Sequence, residues 1–254
     1  IQAHVRRRAA LQAVRQRRIE HLMALKARRL QASVRESGGI PLLVALLRDG
    51  SARARANAAG AIEQLAHAND DNQTAIREEG GIVLLLGLIR YAAAWYSKDE
   101  EHPQNLQLVD DSSTAHATGD GQGFTDAAEA DEAQRKAVCC IGALGADATN
   151  RQCVREEGGL PVILALLTAP TSSEALREAT ARCLWSLLLE RATQDELGRA
   201  PLDAHVALVA VIGHGASLAV RSAAAATLSQ LIWQHRANQR AALMSVLHRH
   251  CQSC

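Results

Sequence analysis

The segment Gln31-Ala-Ser-Val-Arg-Glu-Ser-Gly-Gly-Ile40 returns as Gln73-Thr-Ala-Ile-Arg-Glu-Glu-Gly-Gly-Ile82 and again as Gln152-Cys-Val-Arg-Glu-Glu-Gly-Gly-Leu160. Each copy runs on into an aliphatic stretch, Pro41 to Leu47, Val83 to Ile89 and Pro161 to Leu167, and then into a longer Ala-rich one. A unit of this size cannot bury its apolar face alone, so the copies must stack on one another. Gly38-Gly39 and Gly80-Gly81 are about 42 residues apart, within the period of helical solenoid repeats. The third pair, Gly158-Gly159, comes later because a long insertion intervenes.

A fourth copy is worn. His205-Val-Ala-Leu-Val-Ala-Val-Ile212 and Gly215 align with Ile40-Pro-Leu-Leu-Val-Ala-Leu-Leu47 and Gly50, with Asp203-Ala204 in place of the glycine pair. Each repeat therefore reads as a short first helix, a glycine turn, a second helix and a long third helix. Glycine suits a turn in which one helix ends in the left-handed region, and Pro41 and Pro161 suit the first turn of the next helix. The third helices are expected at about 52–67, 131–145, 173–191 and 218–235. Their seam is expected at Ile62 and Leu65, Ile141 and Leu144, Leu184 and Leu187, and Leu228 and Leu231, since residues three or four apart share a helix face.

Gly-Gly-Ile-Pro-Leu-Leu-Val-Ala-Leu-Leu and Ala-Asn-Ala-Ala-Gly-Ala-Ile give the chain a resemblance to the armadillo-repeat family, over roughly Leu30 to His235. The resemblance implies an all-α, right-handed superhelical solenoid that binds extended partners along a concave face. It divides the chain into a basic helix at 1–29 and repeats at 30–67, 68–145, 146–191 and 192–237. The second repeat carries an acidic, disordered insertion at 97–130. Residues 238–254 read as the start of a further repeat and a frayed tail, so that the chain is expected to be a piece of a longer repeat protein.

Composition agrees. Aromatic residues make up 2% of the 254 residues, a balance that favours helices packed through Ala and Leu over strands. A formal net charge of +1 gives no whole-chain attraction to nucleic acid, and no apolar run is long enough to insert in a bilayer. A cytoplasmic or nuclear protein is the expectation. Cys139, Cys140, Cys153 and Cys183 fall in apolar stretches as small buried hydrophobes.

In the family an Asn on the third helix holds the backbone of a bound peptide, repeat after repeat. Asn57 matches it; Lys136, Ala179 and Ala223 stand at the equivalent positions. Arg53, Arg55, Arg135 and Lys136 would surround it, pointing to an acidic peptide. A partner-binding groove formed by Arg53, Asn57, Arg135 and Lys136 is the expected site. Ile1, Gln2 and Arg6 match part of an IQ motif, which implies a calmodulin-like partner for the basic first helix. Arg7 stands there where Gly is usual and Leu11 where a second basic residue is usual.

The remaining patterns carry little chemistry. Gly119 to Gly123 has no preceding strand and no following Gly-Lys-Ser/Thr, and Cys251 and Cys254 form one Cys pair at a terminus. Esterase, zinc-protease and kinase signatures do not occur. The expectation is a non-enzymatic scaffold or adaptor without cofactor or metal. The alternative is the substrate-recognition region of a larger enzyme, such as a U-box-type ubiquitin ligase.

Overall fold

The computed structural model describes residues 2–96, 123–213 and 217–252, with side chains for Arg6 and for 11–95, 123–213 and 217–245. Among these residues there are thirteen α-helices and no strand. The first repeat uses the end of α1 (Gln2–Glu36), then α2 (Gly39–Asp49) and α3 (Ala52–Ala66). The second has α4 (Asp70–Glu78), α5 (Gly81–Tyr96) and α6 (Ala127–Leu144), and the third α7 (Ala148–Glu156), α8 (Gly159–Thr168) and α9 (Glu174–Leu187). The fourth has α10 (Arg191–Leu197), α11 (Ala204–Gly213) and α12 (Leu218–Ile232), after which α13 (Arg236–Gln252) follows.

The glycine pairs do two different jobs. Gly38, Gly80 and Gly158 have φ of 76°, 77° and 63°, the left-handed conformation that ends one helix and starts the next at a steep angle. The second glycine is a matter of space: a Cβ on Gly159 would lie 2.8 Å from the Val154 carbonyl oxygen and 2.9 Å from Leu86 Cδ2. In the fourth repeat Asp203 takes the left-handed position with φ 42°, Asp being among the residues that tolerate it. Ala204 fits behind it, because six residues separate α10 from α11 where two separate α7 from α8.

Two side-chain ladders tie each repeat to the next, and a third ties the helices within each repeat. Asn72, Asn150, Gln194 and Asn238 are buried on the first helices and donate to Leu65, Leu144, Leu188 and Leu231 carbonyls at 2.9, 3.1, 2.9 and 3.0 Å, satisfying the ends of the preceding third helices. The Arg of each Val/Ile-Arg-Glu reaches an acid at the start of the next first helix: Arg35 to Asp71 at 3.2 Å, Arg77 to Asp147 at 3.4 Å and Arg155 to Glu190 at 3.0 Å. Finally, Arg55, Gln134, Arg177 and Arg221 hold the third helix to the second within each repeat, through Gly50, Ile89, Ala169 and Ile212 carbonyls at 2.8, 3.3, 3.0 and 2.9 Å. Arg55 also lies 5.9 Å from the Tyr91 ring centroid. It is therefore a structural residue, not the groove cation that the sequence suggests.

The expected seam is buried except at Leu228, which is half-buried. Among the described residues α12 is the last third helix of the stack, and no other third helix packs over Leu228. Ala225 is exposed for the same reason, although Ala59, Val138 and Ala181 at its position are each 0% exposed. Of the cysteines, Cys140 and Cys183 are fully buried, while Cys139 and Cys153 are only half-buried because they sit at the edges of their apolar stripes.

Several boundaries shift. No Gly or Pro interrupts 2–36, so the basic helix and the first helix of repeat one are continuous in α1, with no break at residue 29. The long third helix of the third repeat ends at Leu187, not Arg191; Arg191 opens α10 behind Glu190. The insertion closes before residue 130. Phe124 is buried with its ring centroid 5.3 Å from that of Tyr91. Asp126 then caps α6 by accepting from Glu129 N at 2.8 Å, while the Glu129 carboxylate accepts from Thr125 N at 2.8 Å. The rest of the expected acidic insertion lies outside the described residues.

The third helices α3, α6, α9 and α12 pack on one another in order and make the most extensive contacts between repeats, whereas α2, α5, α8 and α11 touch less and the first helices least. A stack held closest along one layer curves toward that layer. The third helices thus line the concave side.

Candidate peptide-binding face

The outward positions of the third helices form the face. Arg53 and Asn57 are exposed on α3, and Arg135 and Lys136 are half-buried on α6. The structure brings Asn57 and Lys136 together: Lys136 Nζ donates to Asn57 Oδ1 at 3.1 Å. The lysine stem crosses Gly60, whose absent side chain leaves the path open, with Lys136 Cδ 3.5 Å from where a Cβ would stand. Ala179 and Ala223 continue the same row on α9 and α12 without a polar group, so that Asn57 and Lys136 are its polar members.

The cations are not left bare. Arg135 makes a two-point pair with Glu132, Nε and Nη2 each donating at 2.7 Å, and Lys136 Nζ lies 3.7 Å from the same carboxylate. The bond from Arg135 holds the Glu132 carboxyl below the usual carboxylate range, against the opposing effect of burial, and Glu132 in turn raises the Arg135 guanidinium. Burial pushes Glu63 up, opposed by the nearby charges of Arg135 and His67. Burial likewise raises the Cys139 thiol, with Glu63 adding to it, which favours its protonated form. The sequence suggests a simply basic groove; the structure interleaves the cations with acids, because Glu132 stands one helical turn before Arg135 and Lys136 and Glu63 of α3 lies within reach of the Arg135 charge.

On α9 Arg182 pairs with Glu178 at 2.5 Å. Beside them Trp185 is 43% exposed, at the position of Glu63, Gly142 and Ser229 in the other repeats. Sequence reasoning passed over it. The signal was an indole standing where the other copies carry a small or polar residue, one position after the core Leu184.

The IQ-like residues do not gather into a described site. Ile1 lies outside the described residues, the side chain of Gln2 is likewise not described, and Arg6 is exposed. The side chains of the Cys-x-x-Cys tail also lie outside the described residues. Among the described residues no group of three or more His, Cys, Asp or Glu could hold a metal, and no helix is long and apolar enough to cross a membrane.

Comparison with known proteins agrees with this architecture. Residues 29–67 and 147–188 match the armadillo/beta-catenin-like repeat family. No curated protein matches the chain. Among solved structures, a designed armadillo repeat protein in complex with the peptide (KR)4 is 18% identical with a TM-score of 0.62, over 86% of this chain and 77% of that one. A second designed armadillo repeat protein is 21% identical with a TM-score of 0.57, over 79% and 68%. The armadillo-repeats-only protein of Plasmodium falciparum is 15% identical with a TM-score of 0.55, over 85% and 84%. The fold is an all-α solenoid of armadillo type. Two of its four repeats match the armadillo/beta-catenin-like repeat family.

Proposed function

We propose that this chain is a protein-binding scaffold that docks an extended or helical segment of a partner on the concave face, through Arg53, Asn57, Arg135 and Lys136. The observation that carries the reading is the Lys136–Asn57 bond. It joins equivalent positions of two consecutive repeats on an exposed surface, so that an amide and an ammonium stand side by side where an extended backbone would cross from one repeat to the next. The likeness to a designed armadillo protein in complex with a peptide supports peptide binding as the kind of function. A scaffold of this kind acts by binding and needs no cofactor.

The peptide class differs from the cationic one of that designed protein. Arg53, Arg135, Lys136 and Arg182 face Glu63, Glu132 and Glu178, and much of the acidic charge is already taken up by Arg135 and Arg182. A Lys/Arg-rich segment would meet like charge. Affinity purification with the whole chain as bait, compared with an Arg53→Ala/Asn57→Ala double variant, tests the reading. Partners lost with the variant place binding on the face; an unchanged partner set overturns it.

A second reading rests on α1. Its residues 11–30 are exposed almost throughout, with Leu11, Val14, Leu22 and Met23 between 56% and 64% exposed. That stretch holds Arg15, Arg17, Arg18, Lys26, Arg28 and Arg29 against Glu20 alone. A basic helix with open apolar side chains suits a partner of the calmodulin kind, whose groove is apolar and rimmed with acid. A shift in gel filtration on adding calmodulin, with and without calcium, tests this; no shift in either condition removes it.

A further inference from the structure

The concave face changes character along its length. Its α3–α6 half presents charged and amide groups. Its α9–α12 half opens into a cleft of about 470 Å³ bordered by Trp185, Glu178, Arg182, Ser186, Ala219 and Ala223. One wall is an indole with 43% of its surface in water. The facing helix offers alanines and serines, which leave the floor open instead of filling it against the ring. Tryptophan at such a site offers a large apolar area at little conformational cost, the combination found in residues that dominate binding.

The rim adds a charge preference. The Arg182 side chain is 73% exposed, whereas its partner Glu178 is 28% exposed, so the arginine is the group that an incoming segment meets first. Exchanging an intramolecular carboxylate for an intermolecular one keeps the guanidinium paired. Lys136 and Arg53, further along the face, have the same sign.

We propose that the α9–α12 cleft is the anchor subsite for an extended acidic peptide, whose bulky aromatic or aliphatic side chain lies against Trp185 while a neighbouring carboxylate meets Arg182. The inference rests on the concave-face reading and deepens it: the polar half would register the backbone and the Trp185 cleft would choose the side chain.

The test is selection of a phage-displayed library of random twelve-residue peptides on the full chain, followed by titration of the enriched peptides as synthetic compounds. The expected peptides carry a large apolar residue beside Asp or Glu. Trp185→Ala is expected to weaken them about tenfold or more, and Trp185→Phe to keep most of the affinity. Ser222→Phe, which fills the cleft from the opposite helix, is expected to abolish binding with the chain still folded by circular dichroism. Peptides that lose affinity in the Arg53→Ala/Asn57→Ala chain but not in Trp185→Ala would leave the face as the binding surface and overturn the anchor. Enrichment of Lys/Arg-rich peptides would also overturn it. A library with no peptide retained above bare support would overturn both readings.

Discussion

Asn57 and Lys136 occupy the same position of two consecutive repeats, 79 residues apart in sequence, and are joined by a 3.1 Å hydrogen bond across the concave face. The long separation reflects the insertion between α5 and α6, which leaves the packing of α3 on α6 untouched. Because the pair is open to water, it adds little to the fold. Lys136→Ala and Asn57→Ala are each expected to change unfolding free energy by less than about 0.5 kcal/mol in urea titrations. A loss of several kcal/mol would show that the pair is structural.

The glycine turns predict a graded response. Gly158→Ala places a Cβ in a left-handed conformation at a cost of about 1 kcal/mol. Gly159→Ala should cost more, since its Cβ would meet the Val154 carbonyl oxygen at 2.8 Å and backbone must move. Urea midpoints for the two variants check the order; equal or reversed losses would contradict the division of labour between the two glycines.

His205 is the fourth-repeat counterpart of Ile40, Ile82 and Leu160, and it is 6% exposed with Nδ1 lacking a hydrogen-bond partner. Burial lowers its pKa from the ordinary 6.5, with Asp203 opposing. Above that value both folded and unfolded states are neutral. As pH falls below it, the unfolded state takes up a proton that the folded state refuses, and stability drops until the lowered folded pKa is passed. His205→Leu should gain about 1 kcal/mol at neutral pH and remove this part of the loss between pH 7 and 5. Thermal melts across that range decide; a variant as acid-sensitive as the parent chain would refute the assignment.

Arg77 bonds Asn150 Oδ1 at 3.0 Å, and Asn150 is fully buried. Arg77→Ala should cost about 1–3 kcal/mol, because it leaves that oxygen unpaired between repeats two and three. A surface arginine without this role would cost almost nothing, so equilibrium unfolding separates the two.

What the sequence made legible follows from what repeats. The Gly-Gly pairs, the apolar runs after them and the seam from Ile62 to Leu231 recur at fixed offsets, and helix order could be read from them directly. The ladder through Asn72, Asn150, Gln194 and Asn238 recurs too, but it escaped notice because each residue is polar and seems to belong to a surface. Arg55 was misplaced on the face since its side chain turns back to the Gly50 carbonyl just past the end of α2, a contact that the period of α3 does not reveal. Trp185 was missed for the opposite reason: it occurs in one repeat only, and alignment of copies dilutes what is unique to one of them. The exposure of α12 at Leu228 depended on which helix comes last in the stack, which no single repeat encodes.

The most direct measurement places a photo-reactive phenylalanine analogue, in separate chains, at Trp185 on the concave face, where an aromatic ring is expected to keep the affinity, and at Leu22 on α1. Each chain is cross-linked to a peptide selected on the unmodified protein. The account predicts an adduct from position 185 and none from position 22. An adduct from position 22 alone would move binding to the first helix and contradict the concave face as the working surface.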